Sequence, residues 1–245
     1  LFFSHGVKTE GIDESALAEA STDLDGTWTV TNRPGPNQTS AGYTFDEVLP
    51  GERRTTSGST QGVHGSVTIE AGTLTSGEIT VDMTNLKSDA DVRDESVRRK
   101  IFHTDEYPES TFTVTEPVDL SAVPDDGSIS PVELTGEMTI HGTTQPVTQT
   151  FNVARSGEQL LVAVVLPALA LMSFAIGFIQ RDGAAVQLLH VRVVVRLGQH
   201  AGDDPALPRH LQPPFHAQAF DARVHGVPDW GIPDGVCPRR PAARA

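Results

Sequence analysis

The chain has 245 residues, a formal net charge of −14 and a pI near 4.9, which suits one large domain or one ordinary domain with extensions. Such an acidic chain lacks the Lys/Arg surface that phosphate contacts require, so the sequence excludes nucleic acid as a partner. The single cysteine, Cys237, excludes an intramolecular disulfide and a thiolate metal cluster.

The sequence predicts that residues 1–22 are a linker, or the remnant of a signal or anchor. They begin with an apolar Leu-Phe-Phe triplet and continue with polar, acidic and Ala-rich sequence. A basic n-region and a long apolar h-region, which mark a complete signal peptide, are missing.

Residues 23–155 are rich in Thr, Gly and Val, and they contain short runs in which apolar and polar side chains alternate. Successive residues of a strand point to opposite faces, so each run has an apolar face and a Thr or acidic face. Turn sequences such as Ala71-Gly72, Asp125-Asp126-Gly127 and His141-Gly142 separate the runs. Several half-buried strands at this spacing predict an all-β antiparallel barrel or sandwich.

The segment from Asp91 to Phe102 departs from this alternation and predicts one short helix. Asp91 is the candidate N-cap, with acidic residues in the first turn and basic residues in the last, as the helix dipole favours. Two ion pairs with i, i+4 spacing are expected, Asp94/Arg98 and Glu95/Arg99. We expect this helix to lie on the sheet or across a barrel mouth.

Residues 156–245 differ in composition from everything before them. Thr occurs 25 times up to Thr150 and Glu 14 times up to Glu158, and neither occurs afterwards. Residues 1–158 contain 10 Lys+Arg and 26 Asp+Glu, a net charge of −16, whereas the remainder contains 8 Arg and 6 Asp, a net charge of +2. Two explanations stay open for this divergent tail: a genuinely separate segment, and a change of reading frame in the coding sequence.

The stretch from Leu160 to Ile179 contains twenty residues without a charge, which is long enough for a transmembrane helix. Basic residues follow it, and the positive-inside tendency then places the preceding domain outside the cytoplasmic membrane. A buried pair of apolar strands and an out-of-frame apolar run are the alternatives. Residues 191–197 could form one further strand, and disorder is expected for the rest.

Three stretches resemble the YceI-like family of lipocalin-like, polyisoprenoid-binding proteins. They are the opening Gly26-Thr27-Trp28-Thr29-Val30, the Arg-Asp, Ile-Phe and Tyr-Pro series between Val92 and Phe112, and the Leu-Thr-Gly to His-Gly-Thr-Thr-Gln-Pro-Val hairpin over residues 134–147. The resemblance covers about residues 23–155. It implies a lipocalin-like antiparallel barrel that holds an isoprenoid chain, in a secreted, periplasmic or membrane-anchored protein facing outside. The closing strands of the family are replaced here by residues 156–245.

A barrel of about eight strands encloses room for one small ligand rather than a channel. An uncharged isoprenoid chain needs apolar walls and few polar anchors, so the candidate residues come from the apolar faces, with Arg93 as a polar anchor near the mouth. The candidate ligand-binding residues are Phe45, Val81, Met83, Arg93, Phe102, Phe112, Val114, Met138, Ile140 and Phe151. Ordinary barrel core is the alternative for the apolar members, and helix capping with a surface ion pair is the alternative for Arg93.

The sequence contains no catalytic constellation, so we expect no catalysis and no cofactor besides a bound isoprenoid lipid. No Gly-x-Ser-x-Gly elbow and no glycine-rich phosphate loop occurs. The histidines of the alternating region, His64, His103 and His141, are at least 38 residues apart, whereas zinc sites typically contain a close pair. No metal site is therefore expected.

The leading hypothesis is the binding, transport or storage of a long-chain isoprenoid or similar lipid by an extracytoplasmic barrel. A second hypothesis is a structural or interaction module of the cell envelope with a filled core. A third and weaker one is an enzyme that acts on an isoprenoid quinone. Membrane association is a further expectation, whereas no pattern in the sequence bears on the oligomeric state.

Overall fold

The structure is a computed structural model that describes residues 9–49, 52–167, 179–181 and 184–199. Side chains are described for residues 9–44, 55–166 and 190–199. The predictions for residues 1–8 and 200–245 lie outside the described residues.

The described ranges contain twelve β-strands, a short 3-10 turn at Glu14–Ala16 and one helical segment. The helical segment is α1 (Asp91–Ser96), which continues as a π-helical stretch over Val97–Phe102. The strands are β1 (Gly26–Val30), β2 (Ser40–Leu49), β3 (Glu52–Thr60), β4 (Val63–Glu70), β5 (Thr73–Asp82), β6 (Glu109–Val114), β7 (Val118–Asp119), β8 (Ser130–Ile140), β9 (Thr143–Ser156), β10 (Gln159–Pro167), β11 (Ile179–Arg181) and β12 (Ala184–Gln199).

The strands close an antiparallel barrel of eight strand paths. One path consists of β1 and β2, which lie end to end along β12, with Thr29 opposite Gly198 and Ala41 opposite Val193. The next path consists of β4 and β3, which pair with β1 and β2 respectively. The ring continues through β5, β6, β8, β9, β10 and β12, and β12 returns to β1. The predicted antiparallel barrel with one short helix is confirmed.

Two hairpin turns that the sequence predicted have the backbone geometry that tight hairpins require. The φ angles are 49° and 73° at Ala71 and Gly72, and 52° and 70° at His141 and Gly142. Positive φ at both central positions is typical of a type I′ turn, whose twist matches that of the flanking strands. A side chain at Gly142 would also collide with the ring of Tyr107, so both the positive φ and the lack of space favour glycine at this position.

The barrel continues beyond residue 155, where the sequence analysis ended it. β9 extends to Ser156, and β10 and β12 follow as adjacent barrel strands. The pairing of β12 with β1 closes the ring. Two strands of the compositionally different segment, β10 and β12, are therefore barrel wall, and the barrel extends past the predicted boundary near residue 155.

The predicted transmembrane helix over residues 160–179 does not form where the structure describes this stretch. Residues 160–167 belong to β10, which pairs with β12 along its whole length, as the apolar strand-pair alternative expected. Residues 168–178 lie outside the described residues. Among the residues that are described, no helix has the length and apolar character needed to cross a membrane. The strand expected over residues 191–197 lies within β12.

The predicted helix is present, but its start and its end differ from the simple pattern. Ala90 occupies the N-cap position without a side-chain bond, so the prediction of Asp91 as N-cap is wrong. Asp91 lies in the first turn instead, where the helix dipole still favours a carboxylate. The π-helical stretch ends at His103, whose φ of 46° is left-handed. Val97 and Phe102 on this stretch are buried in the barrel core.

One of the two predicted ion pairs of the helix forms. Arg99 Nε lies 2.7 Å from Glu95 Oε1, as expected. Asp94 is only 1% exposed, and its Oδ1 accepts hydrogen bonds from the backbone N and the Oγ of Ser88 at 2.7 and 2.6 Å. The predicted Asp94–Arg98 pair is therefore wrong. A buried carboxylate needs hydrogen-bond donors, and Asp94 finds them in the loop before the helix rather than on the helix surface.

Candidate functional site

The barrel encloses an apolar cavity of about 160 Å³. Its wall consists of alternate, inward-facing strand residues, such as Phe112 and Val114 on β6 and Met138 and Ile140 on β8. Thirty-one described residues line the cavity, and none of them has a charged side chain. A concave site of this composition suits an apolar ligand.

Most of the predicted ligand-binding residues lie on this wall. Phe45 belongs to β2, but its side chain lies outside the part of the chain that the structure describes. Eight of the ten candidates line the cavity: Val81, Met83, Phe102, Phe112, Val114, Met138, Ile140 and Phe151. These residues are brought together as expected, and their contact with a ligand stays a prediction.

Arg93, the predicted polar anchor, is not among the described residues that line the cavity. Its guanidinium forms an ion pair with the carboxylate of Asp89, four residues earlier and just before the helix. This ion pair is the kind of contact that the alternative role of Arg93, at the start of the helix, predicts. The role of Arg93 as a head-group contact stays a prediction.

Two aromatic pairs shape the cavity. The rings of Phe112 and Phe151 have their centroids 5.4 Å apart and are tilted by 39°. The rings of Tyr43 and Phe102 have their centroids 6.0 Å apart. Tilted pairs at these separations are favourable beyond the area that they bury, so they hold the rings in fixed orientations. Through the second pair the helical segment contacts the wall at β2.

Two histidines connect the helical segment to the β8–β9 hairpin. His103 Nδ1 and His141 Nε2 are 3.2 Å apart, and the ring centroid of Tyr107 lies 4.9 Å from that of His141. Burial and the adjacent His103 lower the pKa of His141, and Glu106 partly opposes this shift. Since His103 directly follows Phe102, the contact holds a cavity-lining ring in place. The 38-residue separation hid this proximity from the sequence analysis.

We find no candidate metal site in the part of the chain that the structure describes. Among the described residues, no group of three or more His, Cys, Asp or Glu side chains is arranged to hold a metal ion.

The sequence profile of the YceI-like domain family matches residues 33–188. The chain belongs to the YceI-like domain family. This membership confirms the predicted family, and the match extends beyond residue 155 into β10 and β12. A comparison with curated proteins finds no match.

Three solved structures from different organisms are similar to this YceI-like chain. A polyisoprenoid binding domain from Saccharophagus degradans, implicated in plant cell wall breakdown, is 19% identical, with 71% of this chain and 98% of that chain covered and a TM-score of 0.49. BcnA from Burkholderia cenocepacia is 20% identical, with 65% and 94% covered and a TM-score of 0.46. A YCEI protein from Campylobacter jejuni is 10% identical, with 79% and 99% covered and a TM-score of 0.40.

The sequence analysis missed the part of the YceI-like cavity wall that β10 and β12 supply. Every position of β10 from Leu160 to Leu166 is apolar, so the two-residue period of its inner face is not visible in the sequence. The signal that could have revealed it is a second run of similar length, residues 191–197, whose alternate residues Val191, Val193, Val195 and Leu197 are apolar and which pairs with β10. The missed residues of this wall are Leu160, Val162, Val164, Leu166, Val191, Val193, Val195 and Leu197.

Proposed function

We propose that this YceI-like barrel binds a long-chain isoprenoid or similar lipid in its lumen, for transport or storage, and that it catalyses no reaction. The observation that carries the proposal is the apolar cavity, whose described lining includes no charged side chain. Burial of apolar ligand surface contributes roughly 25 cal/mol per Å² before the costs of association. Membership of the YceI-like family, with the ligand class that the family resemblance implies, supports an isoprenoid.

The size of the cavity sets a condition on binding. A volume of about 160 Å³ is close to that of an engineered apolar cavity of about 150 Å³ that holds one benzene molecule. A chain of several isoprene units needs more room than this. Binding therefore requires the lining side chains to move outward. The lining residues outside the strand ladder are Met83, Leu86 and Leu120 in connections and Phe102 on the helical segment.

Native mass spectrometry and solvent extraction of the purified chain test the proposal. We expect a polyprenyl species to co-purify, or to be taken up when it is added. Val164→Trp fills the lumen, because Val164 is 7% exposed and lines the cavity. Val165→Trp is the matched control, because Val165 is 44% exposed and does not line the cavity.

The two variants separate the proposal from a module with a filled core. We expect Val164→Trp to lose the lipid and Val165→Trp to retain it. Full retention by Val164→Trp would place the lipid outside the lumen. A compact barrel that neither carries nor takes up lipid would favour the structural or interaction module.

We propose further that the barrel works outside the cytoplasm, as a secreted, periplasmic or membrane-anchored protein. The family resemblance supports this location. Fractionation of cells that express the natural gene, with detection of the barrel by antibody, tests it, and recovery of the protein in the cytoplasmic fraction alone would contradict it.

A further inference from the structure

One hydroxyl group that faces the apolar cavity makes no hydrogen bond to any of the described residues. Ser110 Oγ is buried, and it has no hydrogen-bond partner among the described residues. Ser110 lines the cavity and precedes Phe112 and Val114 by two and four residues, so it shares their inward face on β6. A buried hydroxyl without a partner is destabilising, and folded proteins nearly always supply one.

Ser110 lies near the end of the barrel at which the helical segment sits. It is opposite Val81 in the β5–β6 register, whereas Leu74 lies at the other end of β5. Met83 N donates to the carbonyl oxygen of Pro108 at 2.8 Å, which ties the chain after β5 to the chain before β6. Leu86 and Phe102, from the connection between β5 and β6, also line the cavity. A ligand that enters at this end brings its head to Ser110 and its chain toward Leu74.

The charge of the wall limits the head group that Ser110 could bind. No described lining residue is a cation, so none of the described side chains would neutralise a phosphate in the cavity, and a buried charge without a partner is strongly unfavourable. An uncharged oxygen has no such cost. A serine hydroxyl can donate to a carbonyl oxygen and can donate to or accept from a hydroxyl.

We propose that Ser110 Oγ is the polar anchor of the site and hydrogen-bonds an uncharged oxygen, a hydroxyl or a carbonyl, at the head of the isoprenoid. This inference rests on the proposed lipid-binding function and narrows its ligand class. The ligand is an isoprenoid alcohol or carbonyl compound, rather than a pure hydrocarbon or an isoprenoid phosphate.

The test compares three probes with the same C20 isoprenoid chain on the full chain after removal of co-purified lipid. The probes are geranylgeraniol, the corresponding hydrocarbon without the hydroxyl, and geranylgeranyl monophosphate. Affinities are measured by competition with a fluorescent apolar dye. The variant is Ser110→Ala, and the matched control is Thr113→Ala, which removes a hydroxyl of the same strand that bonds to Glu78 at 3.3 Å.

We expect the unmodified chain and Thr113→Ala to bind the alcohol about tenfold more tightly than the hydrocarbon. Ser110→Ala should bind the alcohol and the hydrocarbon equally, without weaker binding of the hydrocarbon. The monophosphate should bind more weakly than the alcohol. A second variant, Ser110→Cys, retains the side-chain volume with a weaker donor and should show an intermediate preference.

Two results would overturn the anchor: a preference for the alcohol that survives in Ser110→Ala, or tightest binding of the monophosphate by the unmodified chain. Failure of the underlying function has a different signature. In that case the unmodified chain binds none of the three probes and does not displace the dye.

Discussion

Two parts of the barrel wall share one cavity but differ in what covers their outer faces. In β6, β8 and β9, which we call the alternating wall, outward-facing residues such as Glu133, Glu137 and Thr148 are exposed. In β10 and β12, which we call the apolar wall, the outward-facing Leu161 and Val194 are each 2% exposed, whereas Val165 near the end of β10 is 44% exposed. A strand shows alternation in its sequence only where its outer face meets water, and a strand buried on both faces is a continuous apolar run.

The outer face of the apolar wall is covered in part by the connection between β1 and β2. Arg196 on β12 is buried, and its guanidinium donates a hydrogen bond to the carbonyl oxygen of Pro36. Its backbone N donates to Thr39 Oγ1 at 2.9 Å. Burial and the nearby Arg33 lower the pKa of Arg196. A charged residue is tolerated on this face because the connection supplies hydrogen-bond acceptors.

The largest expected effect comes from placing a charge on the outer face of each wall. Leu161→Asp should lower the free energy of unfolding by roughly 3–5 kcal/mol, because it buries a carboxylate without a partner. Thr148→Asp on the alternating wall should change it by less than about 0.5 kcal/mol. Urea unfolding followed by circular dichroism measures both. Equal, small effects would show that β10 has a solvated outer face, and the contrast between the walls would be wrong.

The alternating wall was predictable because each strand contains its own evidence. Met138 and Ile140 flank Thr139, and the structure places the first two on the cavity and Thr139 on the outside, beside Thr144. The apolar wall was not predictable, because an apolar run that starts at Leu160 is equally typical of a membrane helix and of a strand with both faces buried. Only its partner strand distinguishes them, and that pairing is a property of the whole barrel.

The candidate site was predictable only where its residues lie on strands with alternating sequences. The inward positions of β5, β6 and β8 follow from their period, whereas Ser110 was missed because a polar residue at an apolar position breaks the pattern. Contacts between residues that are far apart in the chain, such as His103 with His141, have no local signal. The pairing of Arg93 with Asp89 was missed for another reason, since Asp89 lies before the predicted helix.

A second experiment tests how the two faces of the alternating wall differ. A Cβ at Gly136 would lie 2.7 Å from Phe112 Cζ and would collide with the backbone oxygen of Thr113. Gly136→Ala should therefore lower the free energy of unfolding by about 1–3 kcal/mol, as overpacking does. Glu137→Ala, on the exposed neighbour, is the control and should stay within about 0.5 kcal/mol. The measurement is again urea unfolding, and a neutral Gly136→Ala would mean that Phe112 does not pack over β8.

A smaller effect is expected from pH, and it should be confined to the alternating wall. Burial and His103 lower the pKa of His141 below its ordinary 6.5, so the folded state favours the neutral ring. Neutral His141 therefore contributes its full share to the stability of the folded state above about pH 6.5. This contribution is lost as the pH falls below that value, because the unfolded state binds the proton more readily. Hydrogen exchange should show faster opening of the β8–β9 hairpin at pH 5 than at pH 7, with little change in β10 and β12.

Two variants make the pH prediction specific. His141→Asn keeps a residue that tolerates the left-handed backbone and should flatten the pH dependence. His64→Asn changes an exposed histidine on β4 and should leave it as it is. Loss of protection in both walls together at low pH would assign the effect to the barrel as a whole.

The smallest expected effect lies on the helix that connects β5 with the alternating wall. Glu95 and Arg99 form an ion pair with 51% and 66% of their side chains exposed. Arg99→Ala should lower the free energy of unfolding by only about 0.3–0.5 kcal/mol, and this difference should disappear in 1 M salt, which screens exposed charges. Urea unfolding at low and high salt measures it. A cost well above 1 kcal/mol that persists in salt would mean that water is excluded from this surface, and the helix would then resemble the apolar wall rather than the alternating one.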